Sequence, residues 1–228
     1  MKVDSFIQEK IAKAVLAAQE EREPSGRLSA GRLGHPLQWQ MLHYYKVKPA
    51  KIEEYTLRKF QRGIDVENRI VEWVAPTQAQ VPVTYRGVAG IADMVLDCPV
   101  EVKSVTNMAF KYLQKEGAKR GHKLQAELYA KALGFKEYMV AYVASDDYRV
   151  LCLPYEVGEE VDKVIDEYEK QVKSGIVPTF KAEEKWQSDK KYSAYPEWTK
   201  LDEQEIAEKL AKLGITVPSA LPLLDLVN

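Results

Sequence analysis

The hydrophobic pattern of this 228-residue chain predicts an α/β protein in which helices flank a mixed central sheet. Apolar residues first recur at helical intervals, then alternate as in strands over 80–105, and then return to helices with one more pair of strands. The length suits one domain over 1–228. Within it we expect a helical N-terminal annex at 1–62, an α/β core at 63–180 and a helical extension at 181–228.

The first third of the chain is expected to be helical. Residues 4–22 have helical apolar spacing, a break rich in Gly and Pro follows at 23–34, and 36–47 forms an aromatic-rich helix. Residues 52–74 give the longest amphipathic pattern, and Gly63 interrupts it. A glycine inside a helix is costly, so this one needs a packing or functional reason.

The strands are expected in two groups. Residues 80–86, 87–97 and 100–105 make three successive strands, and 137–144 pairs with 148–153 around a Ser-Asp-Asp turn. The remaining segments have helical spacing. These helices are expected at 122–133, closed by Gly134, at 158–174, and at 202–213 with Asp202 as the N-cap.

The composition excludes several classes of protein. Hydrophobic residues make up 46% and charged residues 29%, which is typical of a globular protein. A net charge of -1 excludes binding to DNA by bulk charge but leaves room for a local basic groove. Two cysteines cannot build a disulfide framework and fit a reducing compartment, which predicts a cytoplasmic location, or the host cytoplasm for a virus-encoded protein. No apolar run has membrane-spanning length, and the charged N-terminal sequence predicts no secretory signal.

Two carboxylates and a lysine are expected to meet on the second and third strands. A short turn joins these strands, so Asp93 can lie near Glu101, and strand alternation places Glu101 and Lys103 on one face. Paired carboxylates suit a hard cation such as Mg²⁺ or Mn²⁺. A neighbouring lysine can orient or deprotonate a metal-bound water, or offset charge on a phosphate. The alternative is an ordinary solvated charge pair on an edge strand.

Three further residues add to this pattern. Gln125 and Tyr129 are four apart and share a helix face, which His122 joins. Glu67 on the long upstream helix is a candidate third carboxylate, and Asp65 and Glu72 compete with it for that place. The alternatives without a functional role are a half-buried Tyr129, a Gln125 that is only a polar side chain, and a Glu67 on the surface.

Four short motifs occur in a fixed order, namely Gly63-x-x-x-Glu67, Gly90-x-x-Asp93, Glu101-Val102-Lys103 and Gln125-x-x-x-Tyr129. Together they resemble the RecB-like branch of the PD-(D/E)xK nuclease superfamily, in particular CRISPR-adaptation exonucleases and their viral relatives. The resemblance covers residues 29–198. It implies a restriction-endonuclease-like core and a Mg²⁺- or Mn²⁺-dependent deoxyribonuclease that acts on single-stranded DNA or DNA ends, as an exonuclease.

The same resemblance implies the role of each motif residue. Asp93 and Glu101 would bind the metal together with the backbone carbonyl of Val102, with Glu67 close by. Lys103 would position the attacking water. Gln125 and Tyr129 would contact DNA and support the lysine.

The chain departs from many such relatives in lacking cysteines for an iron–sulfur cluster. Trp186 begins the expected C-terminal motif, but Ser188, Lys191 and Trp198 stand where thiols would be. Cys98 and Cys152 are expected on strands, far from those positions. We therefore expect no iron–sulfur cluster. The C-terminal region would instead be held by packing of aromatic residues, namely Trp186, Tyr192, Tyr195 and Trp198.

A basic segment links the third strand to the helix that follows it. Over 110–123 five cations oppose a single glutamate, and Phe110 and Tyr112 add aromatic rings. Cations for phosphates and rings for bases suit single-stranded DNA. The expected DNA contacts are Lys111, Tyr112, Lys115, Lys119, Arg120 and Lys123. A solvated loop is the alternative, and Arg27, Arg32, His35 and Trp39 form a weaker second candidate.

Two other functions stay open from the sequence. One is a structure-specific or single-strand endonuclease, and the other is a non-catalytic DNA-binding protein on the same fold. A homo-oligomer is compatible with either. Retention of Asp93, Glu101 and Lys103 together argues against a non-catalytic protein.

The absence of cluster cysteines gives a first test. We expect the purified protein to be colourless, to contain no iron, and to fold equally well after iron chelation, because it has only two cysteines. Elemental analysis and a visible absorption spectrum measure this directly. Stoichiometric iron with a visible absorption band would contradict it.

Overall fold

A computed structural model describes residues 3–17, 23–189 and 193–216, with the side chains described from Phe6 onward. The helices are α1 (Val3–Ala17), α2 (Leu37–Tyr44), α3 (Glu54–Val74), α4 (Asn107–Glu116), α5 (Arg120–Leu133), α6 (Glu160–Ser174) and α7 (Glu203–Lys212). The strands are β1 (Gln78–Tyr85), β2 (Val88–Val95), β3 (Pro99–Val105), β4 (Glu137–Ala144) and β5 (Val150–Glu156). Residues 18–22, the expected end of the first helix, and Tyr192 lie outside the described residues.

The predicted fold class is confirmed. The five strands form one sheet in the order β1-β2-β3-β4-β5. β3 and β4 run parallel, whereas β2–β3 and β4–β5 are antiparallel, so the sheet is mixed. The crossover between the parallel strands carries α4 and α5, as a parallel connection requires.

The chain divides into two compact units. The first, called the sheet unit, comprises Met1–Glu23, Lys51–Tyr85 and Ala89–Val157. The second, called the helical unit, comprises Pro24–Ala50, Arg86–Val88 and Gly158–Asn228. The expected division into annex, core and extension stays a prediction, and its boundary at 62/63 falls inside α3.

Both faces of the sheet are covered within the sheet unit. On one face, Val66 and Ile70 of α3 pack against strand residues that include Val102 and Val143. On the other, Phe110 of α4 and Ala126 of α5 pack against a second strand set, which is Tyr138, Val140, Tyr142 and Ala144. The two sets alternate along β4, as the pleat of a strand requires.

Helix α4 was not expected from the sequence. Thr106 caps it by accepting a hydrogen bond from the backbone N–H of Ala109 (3.4 Å), and Phe110 and Leu113 are buried beneath it. The segment read as a basic linker is therefore mostly helical, and α5 begins at Arg120. Because Phe110 is only 3% exposed and lies in the core, its ring cannot stack on a base, which corrects that expectation.

Two smaller expectations also change. The last strand begins at Val150 and not at 148, because Tyr148 has a left-handed backbone (φ 60) and belongs to the turn. Cys98 lies in the bend between β2 and β3, while Cys152 lies on β5 as expected.

The helical unit has its own aromatic core. Trp39 of α2 and Ile206 of α7 pack with Tyr195 and Trp198, so these two aromatic residues hold the C-terminal region as expected. Trp186 is more exposed, and its ring centroid lies 6.3 Å from that of Trp39. Asp202 caps α7 as predicted, with its Oδ1 accepting from the backbone N–H of Glu205 at 2.9 Å. Among the described residues, no helix combines the length and the apolar character that a bilayer span needs.

The placement of Phe110 and Tyr112 gives a stability test. We expect Phe110→Ala to lower the free energy of unfolding by about 3–5 kcal/mol, because it empties a packed core position. Tyr112→Ala, at a position 60% exposed, should change it by less than about 0.5 kcal/mol. Urea unfolding curves of the two variants measure this. Equal losses of unfolding free energy in the two variants would mean that Phe110 does not lie on the buried face of α4 and Tyr112 on its exposed face.

Candidate active site

Asp93 lies where β2 and β3 separate. The strands pair at Met94–Val100 and Val95–Pro99, and continuing that register would place Ala92 opposite Val102. Instead, the backbone N–H of Val102 donates to Asp93 Oδ2 at 2.7 Å. The Asp93 carboxylate therefore takes a backbone position between the strands, and its location is fixed by the sheet itself.

Glu101 and Lys103 share a face of β3, as the alternation predicts. They lie opposite Val140 and Tyr142 of β4, on the side covered by α4 and α5. Glu101 has no exposed surface, and Lys103 Nζ contacts its Oε1. Lys103 also interacts electrostatically with Asp93. The structure thus brings together the three residues proposed from the sequence.

The charges in this cluster oppose one another. Burial raises the pKa of Glu101 well above its usual range, although Lys103 counteracts this. Burial also raises the pKa of Asp93, against the effects of Lys103 and of the Val102 N–H. Burial alone would lower the pKa of Lys103, but Glu101 and Asp93 outweigh it and raise that pKa. Lys103 therefore stays an ammonium, which favours orienting or charge-offsetting roles over that of a base.

Glu67 is the carboxylate of α3 that faces the cluster. Burial raises its pKa, and the opposed effects of Lys103 and Asp93 show that it lies near both. The two competitors are engaged elsewhere. Asp65 Oδ1 accepts from Gln61 Nε2 at 2.9 Å, and Glu72 pairs with Arg69 on the exposed surface. Of the three candidates, only Glu67 lies at the cluster.

Gln125 and Tyr129 of α5 lie next to each other, with Tyr129 beside Glu101. Gln125 Nε2 donates to the Tyr129 hydroxyl at 2.6 Å, so the expected shared helix face is confirmed. Tyr129 is buried, and burial and then the charge of Glu101 raise its pKa, which places it beside that carboxylate. The phenol therefore stays neutral and available as a donor.

His122 is directed to a tyrosine of the sheet. Its Nδ1 lies 2.8 Å from the Tyr142 hydroxyl, which also accepts from the backbone N–H of Lys119 at 3.1 Å. Burial, followed by the charges of Lys103 and Lys119, lowers the pKa of His122 to about 3. The imidazole is consequently neutral, and its contact with Tyr142 connects the start of α5 to β4.

The carboxylates suit a hard divalent cation. The Glu101 carboxylate is fully buried and contacts Lys103 and Tyr129. Buried carboxylates with raised pKa values are stabilised by a bound cation, and oxygen donors are those that Mg²⁺ and Mn²⁺ prefer. The donor set thus fits such an ion. In the described ranges, however, no three His, Cys, Asp or Glu side chains already form a metal-binding group.

Sequence reasoning missed Gln80. Its side chain hydrogen-bonds the Asp93 carboxylate, although it sits on β1, two strands from β3. Its backbone is left-handed with φ 50, which is unusual for a non-glycine residue inside a strand. Local strain of this kind persists where the surroundings fix it and often occurs at functional sites. Nothing in the alternation of 80–86 signals it.

The expected DNA contacts are spread over α4 and the start of α5. Lys111, Tyr112, Lys115 and Lys119 are exposed, whereas Arg120 and Lys123 are half-buried. Lys123 Nζ lies 5.5 Å from the centre of the Tyr155 ring. In the second candidate region, Trp39 is buried in the core of the helical unit and is not available to bases.

Comparison with solved structures gives distant likenesses. LHK-Exo in complex with dAMP shares 17% identity and a TM-score of 0.44, over 65% of this chain and 90% of that one. The alkaline exonuclease LHK-Exo from Laribacter hongkongensis is 16% identical with a TM-score of 0.45, and the match covers 71% of this chain and 94% of that one. SSO0001 is 12% identical with a TM-score of 0.43, and the match covers 75% of this chain and 85% of that one. No protein-family model and no curated protein matches the sequence. With TM-scores below 0.5, the function has to be inferred from the residues of the site itself.

Gln80 gives a test of how the site is built. We expect Gln80→Ala to lower the affinity for Mn²⁺ by about 10- to 100-fold, the range found when a partner of a metal ligand is removed. Gln80→Gly should lose the same affinity yet be at least as stable as Gln80→Ala, because glycine accepts φ 50 without strain. Calorimetric metal titration and thermal unfolding measure both effects.

The exposed Gln78, also on β1, is the matched control, and Gln78→Ala should bind metal as the wild type does. If Gln80→Ala retains full affinity, the hydrogen bond to Asp93 has no role in metal binding.

Proposed function

We propose that the chain is a metal-dependent DNA nuclease that hydrolyses phosphodiester bonds, acting as an exonuclease on single-stranded DNA or DNA ends. The observation that carries the proposal is the buried contact of Lys103 with Glu101 beside Asp93. Two carboxylates and a retained ammonium in one buried cluster cost stability and have no evident structural purpose. We place the chain in the RecB-like branch of the PD-(D/E)xK superfamily on the same residues.

Each residue of the cluster has a proposed task. Asp93, Glu101 and the backbone carbonyl of Val102 would hold Mg²⁺ or Mn²⁺, with Glu67 as a further carboxylate. When bound, such an ion would lower the pKa of a water and polarise the scissile phosphate. Lys103 orients that water and offsets the charge that develops on the phosphate. Tyr129, fixed by Gln125, holds Glu101 in place, and because its side chain is buried it does not contact the substrate, which corrects the DNA contact expected of it.

DNA is the proposed partner, and the 111–123 segment is one proposed contact. Its exposed cations, Lys111, Lys115 and Lys119, suit phosphates, and Tyr112 supplies the free ring. Arg120 and Lys123 extend the same basic surface. We propose no iron–sulfur cluster and a reducing, cytoplasmic setting.

Two alternative functions remain to be separated. A structure-specific or single-strand endonuclease would cut circular single-stranded DNA, whereas an exonuclease needs an end. A non-catalytic DNA-binding protein would bind labelled DNA without cutting it in Mg²⁺ or Mn²⁺. Linear, circular and single-stranded DNA, each incubated with Mg²⁺, Mn²⁺ or EDTA, distinguish all three on one gel. Loss of intact linear DNA alone, and only with metal, is the expected result.

The site assignment is tested by substitution. We expect Asp93→Ala, Glu101→Ala and Lys103→Ala each to abolish cleavage while the circular dichroism spectrum is kept. The first two should also lose Mn²⁺ binding, because a carboxylate ligand is removed, whereas Lys103→Ala should keep it. Asp65→Ala is the control, since this exposed carboxylate of α3 is hydrogen-bonded to Gln61 outside the cluster. Wild-type rates in any of the three variants would refute the assignment.

A further inference from the structure

An open groove of about 490 Å³ runs along the first half of α3 and ends at the proposed site. Lys59, Phe60, Arg62, Gly63 and Glu67 of α3 line one side, and Lys103 of β3 also lines the groove. The opposite side is formed by the last residues of β3 and the first turn of α4. All of these residues belong to the sheet unit. The volume is on the scale of a small-molecule site, which suits part of one strand.

The groove carries cations that have no carboxylate partner. Lys59 and Arg62 are exposed, and neither forms an ion pair among the residues described, although Lys59 Nζ lies 4.3 Å from the centre of the Tyr55 ring. Two other cations of α3 behave differently, because Arg58 pairs with Glu54 and Arg69 with Glu72. The unpaired cations are thus the two that face the groove, which indicates an anionic occupant.

An aromatic ring lies beside these cations. Phe60 is 54% exposed and lines the groove, so its ring contributes little to the core. Exposed rings next to cations are the combination that binds single-stranded nucleic acid, since rings stack on free bases and cations bind phosphates. A duplex keeps its bases stacked on one another and offers none to Phe60.

Gly63 keeps the groove open. A Cβ built at this position would meet only the Ser104 hydroxyl, at 3.4 Å, which is ordinary contact. Packing of α3 against β3 therefore does not demand a glycine, although a glycine weakens a helix relative to alanine. A larger side chain here would fill the space that leads to Lys103.

We infer that the groove along α3 binds a single DNA strand, with Lys59 and Arg62 on its phosphates, Phe60 stacked on a base, and the backbone passing Gly63 to reach Lys103. The inference rests on the proposed nuclease function and adds the path of the substrate. It puts the strand on α3, in a groove that Lys103 also lines, whereas the ring of Phe110, just before the 111–123 segment, is packed in the core.

The test measures binding without cleavage. A fluorescein-labelled oligo(dT) and a blunt duplex are titrated in EDTA, over a range of salt, against the full chain. Lys59→Ala combined with Arg62→Ala should weaken oligo(dT) binding and lower the slope of log affinity against log salt by about 1.4, since two phosphate contacts are lost. Phe60→Ala should weaken it by about 5- to 150-fold, the effect of one stacked base, with the slope unchanged.

The matched control removes two cations from the same helix. Arg58→Ala combined with Arg69→Ala makes the same charge change away from the groove and should bind oligo(dT) as the wild type does. Equal losses in the two double variants would overturn the inference, because the effect would then be overall charge. Losses confined to the duplex would also overturn it. A wild-type response in Lys59→Ala/Arg62→Ala together with a loss in Lys119→Ala/Arg120→Ala/Lys123→Ala would move the strand to the 111–123 segment.

A steric variant tests the path independently of charge. Gly63→Leu should keep the circular dichroism spectrum and the salt slope but weaken oligo(dT) binding and cleavage, with Gly63→Ala losing less. Full binding by Gly63→Leu would mean that the strand lies elsewhere. The two proposals fail differently. A wild type that neither binds nor cuts DNA in any metal refutes the nuclease, whereas an active wild type with active groove variants refutes only the path.

Discussion

The buried contact between Lys103 and Glu101 is the constraint around which the sheet unit is arranged. Taking charges out of water is expensive, and apolar residues of similar volume would often make the same strand more stable. Glu101 is nevertheless completely buried in β3, where the residues on either side of it are valines. Asp93 adds a second carboxylate by replacing a backbone partner of Val102. Such a cluster is understandable as a preorganised site and poorly explained as a means of stability.

The surrounding elements are placed to hold that cluster without neutralising it. Tyr129 approaches Glu101 from α5, and Gln125 fixes the phenol, so the tyrosine adds a donor and no charge. His122 is uncharged as well, because burial near Lys103 disfavours the imidazolium. The only cation within this arrangement is thus Lys103 itself, among the residues described. Burial raises the pKa of all three carboxyl groups around this ammonium, and a bound divalent cation would stabilise their ionised forms.

Strand alternation was enough to predict the shared face of Glu101 and Lys103, and helical spacing was enough for Gln125 and Tyr129. Both follow from periodicities that every strand and helix obeys. The position of Gln80 could not be predicted, since its left-handed backbone and its reach to Asp93 depend on how β1 and β2 lie together. Helix α4 was missed for another reason. Its lysines suggested a basic linker that contacts DNA, and that composition hid the spacing of Phe110 and Leu113, which could have revealed the helix.

Gly63 shows how a local rule is broken in favour of the site. In a helix interior, alanine is more favourable than glycine by about 1 kcal/mol, and the surroundings here would accept the extra methyl group. A residue selected only for stability would therefore be alanine. The same position borders the groove that ends at Lys103, where any longer side chain would occupy the space that a substrate needs. The cost in helix stability is consequently best attributed to the groove, in the same way that the buried charges of β3 are best attributed to the chemistry beside it.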